Sequence, residues 1–288
     1  MSARETRAGE DRSDHGAAHR VLSYLRLNMR FYLGIDAPCV RRTLTECRVR
    51  AGSGYAPDLI RDLVTLYRAE PEQVERINFR CAGIRRGDTG ERFFLKEFPR
   101  LRAVHDLERQ LRCSQADRAW RAGHLLPQYR ILTPRPIGTA QVHGGDGVTE
   151  YLATEWLEGT TAWSDVLRRS PRVQRQEILS EFAGHMRRWH DRGLYLRDLV
   201  NNVLVTQERG QRWYWLTDLD GLHPIRCFNR GRVLYQMRQL GKWARPDPEE
   251  AELIARTYLA PSAGMNAADF AAAIRSALLE HRSGGRRP

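Results

Sequence analysis

GLYLRDLVNNVLVTQERGQRWYWLTDLDG, residues 193–221, is the stretch that decides how this chain reads. It follows a long amphipathic segment. Arg197-Asp198 comes first, then the pair Asn201-Asn202, then the apolar run Val203-Leu204-Val205. A polar turn over 207–212 leads to a second apolar run, 213–216, which ends in Asp218-Leu219-Asp220-Gly221. Two short apolar runs around a polar turn predict a β-hairpin. Pairing would bring the outer ends to one mouth, with Asp198, Asn201 or Asn202, and Asp218. A base, an amide oxygen and a metal-binding carboxylate are what magnesium-assisted phosphoryl transfer to a hydroxyl requires. Asp220 either binds a second ion or caps a turn before Gly221, and the turn is the favoured reading.

Moving outward, one cation stands apart. The chain has 288 residues and 47 Lys plus Arg against 35 Asp plus Glu, a formal charge of +12. Only Lys96 and Lys242 are lysine; every other basic residue is arginine. Lys96 lies in Arg92-Phe93-Phe94-Leu95-Lys96-Glu97-Phe98, a strand-like run after the turn Gly87-Asp88-Thr89-Gly90. A compact ammonium on a flexible stem suits a point contact to phosphate. Such a lysine is usually held by a helix carboxylate, and Glu108 and Asp117 are the candidates. The positive balance predicts anionic partners. The five cysteines are scattered and form no CxxC, and the histidines show no HExxH spacing, which argues against zinc and for reduced thiols. No basic-aromatic ladder of the nucleic-acid kind is present.

No run reaches 18 apolar residues, so no transmembrane helix is expected. The N-terminus lacks an apolar core segment, so no secretory signal is expected and the chain reads as cytoplasmic. Residues 1–18 read as a disordered tail. Residues 19–35 predict a helix docked on the body; lying on an anionic membrane is the sharper alternative. A strand is expected over 44–52, a helix over 56–68, a hairpin from 75–85 and 91–98, a helix over 105–126 and a buried strand over 148–157. A short helix follows over 160–169. Ser170-Pro171 caps and opens a long one, whose apolar face is Leu179, Phe182, Met186 and Trp189 and which Gly193 ends. Helices are expected over 231–244, 248–258 and 267–280, before a tail at 281–288. His190 reads as packing or a helix cap. The order predicts an α+β chain in two lobes: a strand-rich N-lobe over 19–154 with a helical extension, and a mainly helical C-lobe over 155–280.

YLRDLVNNVLV followed by LTDLDG resembles the catalytic loop and metal-binding motif of protein-kinase-like folds. With FFLKEF, SQADRAWRAGHLL and ILTPRPIG, the chain resembles the bacterial lipopolysaccharide kinase family, which phosphorylates Kdo or heptose of the inner core. The resemblance covers residues 75–245. It implies a two-lobed kinase fold, ATP and magnesium. It would make Lys96 the phosphate lysine, Asp198 the catalytic base, and Asn202 and Asp218 the magnesium ligands. Thr154-Glu155-Trp156-Leu157 would be the hinge, with the Glu155 carbonyl and the Leu157 amide facing adenine. The chain departs from the family pattern in four places. Leu196 stands where His is usual, and Asn202 follows Asp198 by four residues rather than five. No glycine-rich loop precedes Lys96, only Ala82-Gly83 and the turn at 87–90. Ala119 stands where some relatives place the lysine-pairing Glu.

The implied activity is that of a cytoplasmic kinase, peripheral at the inner membrane. It would act on a lipid-linked core oligosaccharide near an anionic membrane surface, with no nucleic-acid partner. The alternative is a kinase-shaped nucleotide-binding or scaffold protein without transfer. An antibiotic phosphotransferase would carry a His-Gly-Asp loop, which this chain lacks.

Overall fold

The computed structural model describes residues 40–44, 47–69, 74–78, 80–86, 89–98, 114–144, 147–224, 229–260 and 267–283. The expectations for 1–18, for 19–35, for the first part of 105–126 and for the tail after 283 lie outside these. In chain order the elements are β1 (Val40–Leu44), β2 (Cys47–Ala51), α1 (Pro57–Ala69), β3 (Val74–Asn78), β4 (Cys81–Arg85), β5 (Arg92–Phe98), α2 (Gln115–Leu125), β6 (Pro136–Gly144) and β7 (Gly147–Glu155). Then come β8 (Thr161–Ala162), α3 (Trp163–Arg169), α4 (Arg172–Asp191), β9 (Leu194–Leu196), β10 (Val203–Glu208), β11 (Gln211–Leu216), β12 (Leu222–Pro224), α5 (Arg230–Ala244), α6 (Pro248–Leu259) and α7 (Ala267–Ser283). Two units divide the described chain. A sheet unit comprises Leu33–Thr160 with Leu204–Leu222, and a helical unit comprises Thr161–Val203 with His223–Pro288.

In the sheet unit, β5 shows why these residues form a strand. Phe93 and Leu95 alternate with Phe94 and Lys96, so one face buries two large apolar groups and the other carries the cation. The seven strands run β1-β2-β6-β7-β5-β4-β3, antiparallel at every junction. Ile60, Leu63, Val64 and Tyr67 of α1 pack with Phe93, Leu95, Ile137 and Tyr151 into one core. The helix sits close because Gly138 of β6 has no side chain. A Cβ there would meet the Arg50 carbonyl and Ile60 Cγ1 at 2.5 Å. One expected strand divides: residues 75–85 form β3 and β4, themselves a hairpin, and it is β4 that pairs with β5. Asn78 explains the break, since its Oδ1 accepts from the Arg80 amide at 2.8 Å and closes a tight turn.

The expected hairpin at 203–216 forms as β10 and β11. Its turn is Arg209-Gly210, both left-handed at φ 49° and 81°, the conformation that matches strand twist in a two-residue loop. The Leu216 amide donates to the Leu132 carbonyl at 2.8 Å, which ties the second strand to the connector before β6.

The helical unit is organised on α4. Leu179, Phe182, Met186 and Trp189 are buried, as their spacing predicts, and Phe182 stacks on Trp163 with ring centroids 4.3 Å apart. Gly193 at φ 72° turns the chain out of the helix. Ser170 does not cap α4. Its hydroxyl donates to the Val166 carbonyl at 2.8 Å and closes α3 instead. Met237, Leu240, Ile254, Tyr258, Ile274 and Leu278 fill the space between α5, α6 and α7. Among the described residues no helix is long and apolar enough to cross a membrane.

Candidate active site

Lys96 faces away from the α1 core, 17% exposed, its ammonium 4.8 Å from the centre of the Phe98 ring. It is bonded to the Asp218 carboxylate, and Asp220 Oδ1 lies 2.8 Å away. Residues more than 120 positions apart thus meet within the sheet unit. Asp218 adopts left-handed backbone angles, φ 55° and ψ 53°, which a short polar side chain such as Asp tolerates better than most. It opens a single helical turn, Leu219–Gly221, which buries Leu219 and packs against α2. The turn turns both carboxylates toward the ammonium.

The electrostatics follow from that crowding. Burial works against the Lys96 charge, but Asp220 and Asp218 outweigh it and raise its pKa, so the ammonium is retained. Burial also opposes the Asp218 charge, yet its bonds to Asp220 and Lys96 hold it below the usual carboxylate range. Asp220 is pushed up to about 6 by burial and by the neighbouring Asp218. The favoured expectation for Asp220, a turn-closing residue, is therefore corrected: its carboxylate belongs to the lysine cluster. Of the two candidate helix partners for the lysine, one is corrected. Asp117 pairs with Arg50 at 2.7 Å, and Glu108 lies outside the described residues. The repeated acid in Asp-Leu-Asp was the available signal for the second carboxylate, because one residue between them places both on a single tight turn.

The other sheet-unit candidates are positioned by β7. Glu155 ends that strand. Its carboxylate accepts from the Arg135 amide at 2.7 Å, and its own amide donates to the Arg135 carbonyl at 3.0 Å. The Glu155 carbonyl takes the Thr154 hydroxyl at 3.2 Å. The Thr160 hydroxyl donates to the Leu157 carbonyl at 3.0 Å and closes the turn at Gly159, φ 66°. Trp156 lies over Gly83, where a Cβ would stand 2.8 Å from the ring, and the Arg92 guanidinium covers it at 3.8 Å. Neither glycine expectation puts a flexible loop at Lys96. Cys81 is the register partner of Lys96 and Arg85 that of Arg92, so the Arg85–Arg92 end of the hairpin lies roughly 13 Å along the strand from Lys96.

Asp198 and Asn202 belong to the helical unit. Leu199 and Val200 are buried and anchor the turn Leu199–Asn202, leaving Asp198 exposed before it. The Asn201 amide donates to the Asp198 carbonyl at 3.2 Å. Asn201 is exposed and Asn202 half-buried. A buried chain of hydrogen bonds supports the approach to this turn. Gln236 Nε2 donates to the Leu196 carbonyl at 2.7 Å, two residues before Asp198. The Gln236 oxygen therefore faces His190 Nε2, which must be the protonated ring nitrogen. That leaves His190 Nδ1 to accept from the Tyr258 hydroxyl at 2.6 Å. Complete burial drives the His190 pKa down to about 4, which keeps the ring neutral. His190 is thus the packing histidine expected from sequence, while Gln236 and Tyr258 carried no local signal.

Among the described residues no group of three or more His, Cys, Asp and Glu side chains gathers as a metal site. The paired carboxylates of Asp218 and Asp220 do suit one hard cation that takes its remaining ligands from water and phosphate.

A family model described as the lipopolysaccharide kinase (Kdo/WaaP) family matches residues 89–243, more than half of the chain. A solved structure titled "WaaP in complex with acyl carrier protein" is similar over 74% of this chain and 89% of that one, with 15% identity and a TM-score of 0.53. That likeness shows the two-lobed kinase-like fold. A second, "A divergent kinase lacking the glycine-rich loop regulates membrane ultrastructure of the Toxoplasma parasitophorous vacuole", aligns over 83% of this chain and 74% of that one, at 16% identity and a TM-score of 0.37. A search of curated proteins found no match.

Proposed function

The chain belongs to the lipopolysaccharide kinase (Kdo/WaaP) family, and from that premise we propose that it transfers the γ-phosphoryl group of ATP to a hydroxyl of a lipid-linked inner-core sugar, Kdo or heptose. The observation that carries the reading is the ion pair of Lys96 with Asp218, 122 residues away. Charge-neutralising contact to phosphate and a hard carboxylate side by side are what the reaction demands of a protein.

In this reading Lys96 contacts the nucleotide phosphates, and the Glu155 carbonyl and Leu157 amide meet adenine. Asp218 and Asn202 hold magnesium, which when bound neutralises charge on the phosphate oxygens. Asp220, whose ionisation is suppressed by burial and by its neighbour, gains a reason to ionise once a cation is shared. Asp198 accepts the proton of the acceptor hydroxyl as its oxygen bonds to phosphorus. The bond from phosphorus to the bridging oxygen breaks, and ADP leaves with that electron pair. The excess of arginine supports work at an anionic membrane face, where the protein would sit peripherally on the cytoplasmic side.

The test is transfer of labelled phosphate from ATP to purified core oligosaccharide on lipid. Asp198→Ala is expected to lower turnover by about 10²- to 10⁴-fold while ATP still raises the melting temperature. Parental turnover in that variant would remove Asp198 from the base role. Stabilisation by ATP without transfer to any core acceptor would favour the nucleotide-binding scaffold.

A further inference from the structure

The second lysine of the chain also lies in a distinctive place. Lys242 lines a cavity of about 710 Å³ within the helical unit, formed by α3, the start of α4, the end of α5 and the start of α6. That volume is in the range of small-ligand sites. Arg168, Arg172, Arg175 and Arg245 line it too, against two carboxylates, Asp247 and Glu250.

Those carboxylates are already engaged. Glu250 is buried and takes Arg175 Nε at 2.7 Å, and its other oxygen receives the Asp247 amide at 3.0 Å. Asp247 caps α6 by accepting from the Glu250 amide at 2.8 Å, and Arg172 reaches it at 3.8 Å. Arg168 is held by Asp165 at 2.6 Å, and Arg172 by Glu249 at 2.6 Å. Among the described residues no carboxylate is paired with Lys242 or Arg245, so the cavity carries uncompensated positive charge at its α5 end. Arg245 stands there at a cost. It occupies the left-handed position that ends α5, φ 48° and ψ 54°, where glycine is the usual residue. Between the two cations Trp243 leaves 48% of its surface in water, unusual for so large an apolar group.

We propose that this cavity is a binding site for a phosphate monoester carried on a compact polar ligand. Lys242 and Arg245 take the phosphate oxygens, Arg172 extends the cationic wall, and the Trp243 ring meets the ligand's flatter face. Two sources share that chemistry, a phosphorylated sugar and a phosphatidic-acid headgroup. The site does not depend on the roles given to Lys96, Asp198 or Asp218.

The test is equilibrium binding to the full chain with ADP present in excess. Probes are glucose 6-phosphate, glucose, and vesicles of phosphatidylcholine with or without one-tenth phosphatidic acid. Glucose 6-phosphate is expected to bind and glucose not to. The double variant Lys242→Gln with Arg245→Asn should weaken binding at least about tenfold, since two charge-assisted hydrogen bonds are removed. Trp243→Ala should weaken it by a smaller factor, and Asp198→Ala should not change it. These side chains are exposed and asparagine tolerates the left-handed backbone, so an unaltered melting temperature is expected of the double variant. Binding to the phosphatidic-acid vesicles alone, lost in the double variant, would support the site and identify the lipid headgroup as its source. Equal binding by parent and double variant, or binding of neither probe, would overturn the proposal. Phosphate transfer is not the readout, so failure here leaves the kinase reading intact.

Discussion

Replacing Gln236 by Leu tests whether the buried hydrogen-bond chain of the helical unit holds the Asp198 turn. Gln236 is 1% exposed, and leucine matches its volume closely. The substitution strands two groups at once: the Leu196 carbonyl and His190 Nε2–H. Each buried polar group left without a partner costs about 1–3 kcal/mol, so the total is roughly 2–6 kcal/mol. In a chain of this size that corresponds to a melting temperature lower by roughly 4–24 °C. Tyr258→Phe is the control. It strands only His190 Nδ1 and should cost about 1–2 kcal/mol. It leaves the Gln236 bond to Leu196 in place, so the two variants separate stability from positioning. Calorimetry gives the first quantity. Steady-state kinetics at a temperature where both variants are folded gives the second. Gln236→Leu should lose kcat by about tenfold or more with KM for ATP nearly unchanged, and Tyr258→Phe should keep the parental kcat. A folded Gln236→Leu protein with parental kcat would refute the positioning argument.

Three further outcomes are expected. Lys96→Met leaves Asp218 and Asp220 without their counter-charge, so turnover should fall by about 10²-fold or more. Its melting temperature relative to the parent should also be better at pH 5.5 than at pH 8, because protonating Asp220 relieves the repulsion. Acid should destabilise the parent. His190 and His185, both held near pH 4 by burial, stay neutral in the folded chain while the unfolded chain protonates them below about 6.5. Asp220, raised to about 6, binds its proton earlier when folded and opposes them. These three groups leave a net excess of one proton on the unfolded chain between pH 6 and 4, a loss of about 1.4 kcal/mol per pH unit of acidification. His190→Gln should reduce that slope by one proton in urea titrations run at several pH values. Gly138→Ala drives a methyl group into the Arg50 carbonyl and Ile60. It should cost about 1–3 kcal/mol by urea midpoint without changing KM for ATP.

What could be read from sequence was whatever a local pattern imposes. The alternation of Phe93, Leu95 and Lys96 announced β5. The 3-4-3 spacing of Leu179, Phe182, Met186 and Trp189 announced α4. Two apolar runs around a polar turn announced β10 and β11. What escaped depends on neighbours distant in the chain. Asp117 lies on a helix in either reading, and only the placement of Arg50 on β2 decides where its carboxylate goes. Asp220 looked like a turn residue because nothing local shows that Lys96 stands opposite. Gln236 reads as an ordinary polar residue on α5 until β9 places a carbonyl against it. The break between β3 and β4 rests on a single Asn78 side chain closing on Arg80, a small cue inside an otherwise strand-like run.

The sheet unit takes back Leu204–Leu222 after the chain has left it to build much of the helical unit. On a ribosome that order has a temporal meaning. Lys96 emerges long before Asp218, and at about 5–20 residues per second the 122-residue separation is a wait of roughly 6–24 s. Through that interval the half-sheltered ammonium faces no carboxylate from the later segment. The nascent sheet can collapse early, but its charge balance is completed only when translation is well into the second half of the chain.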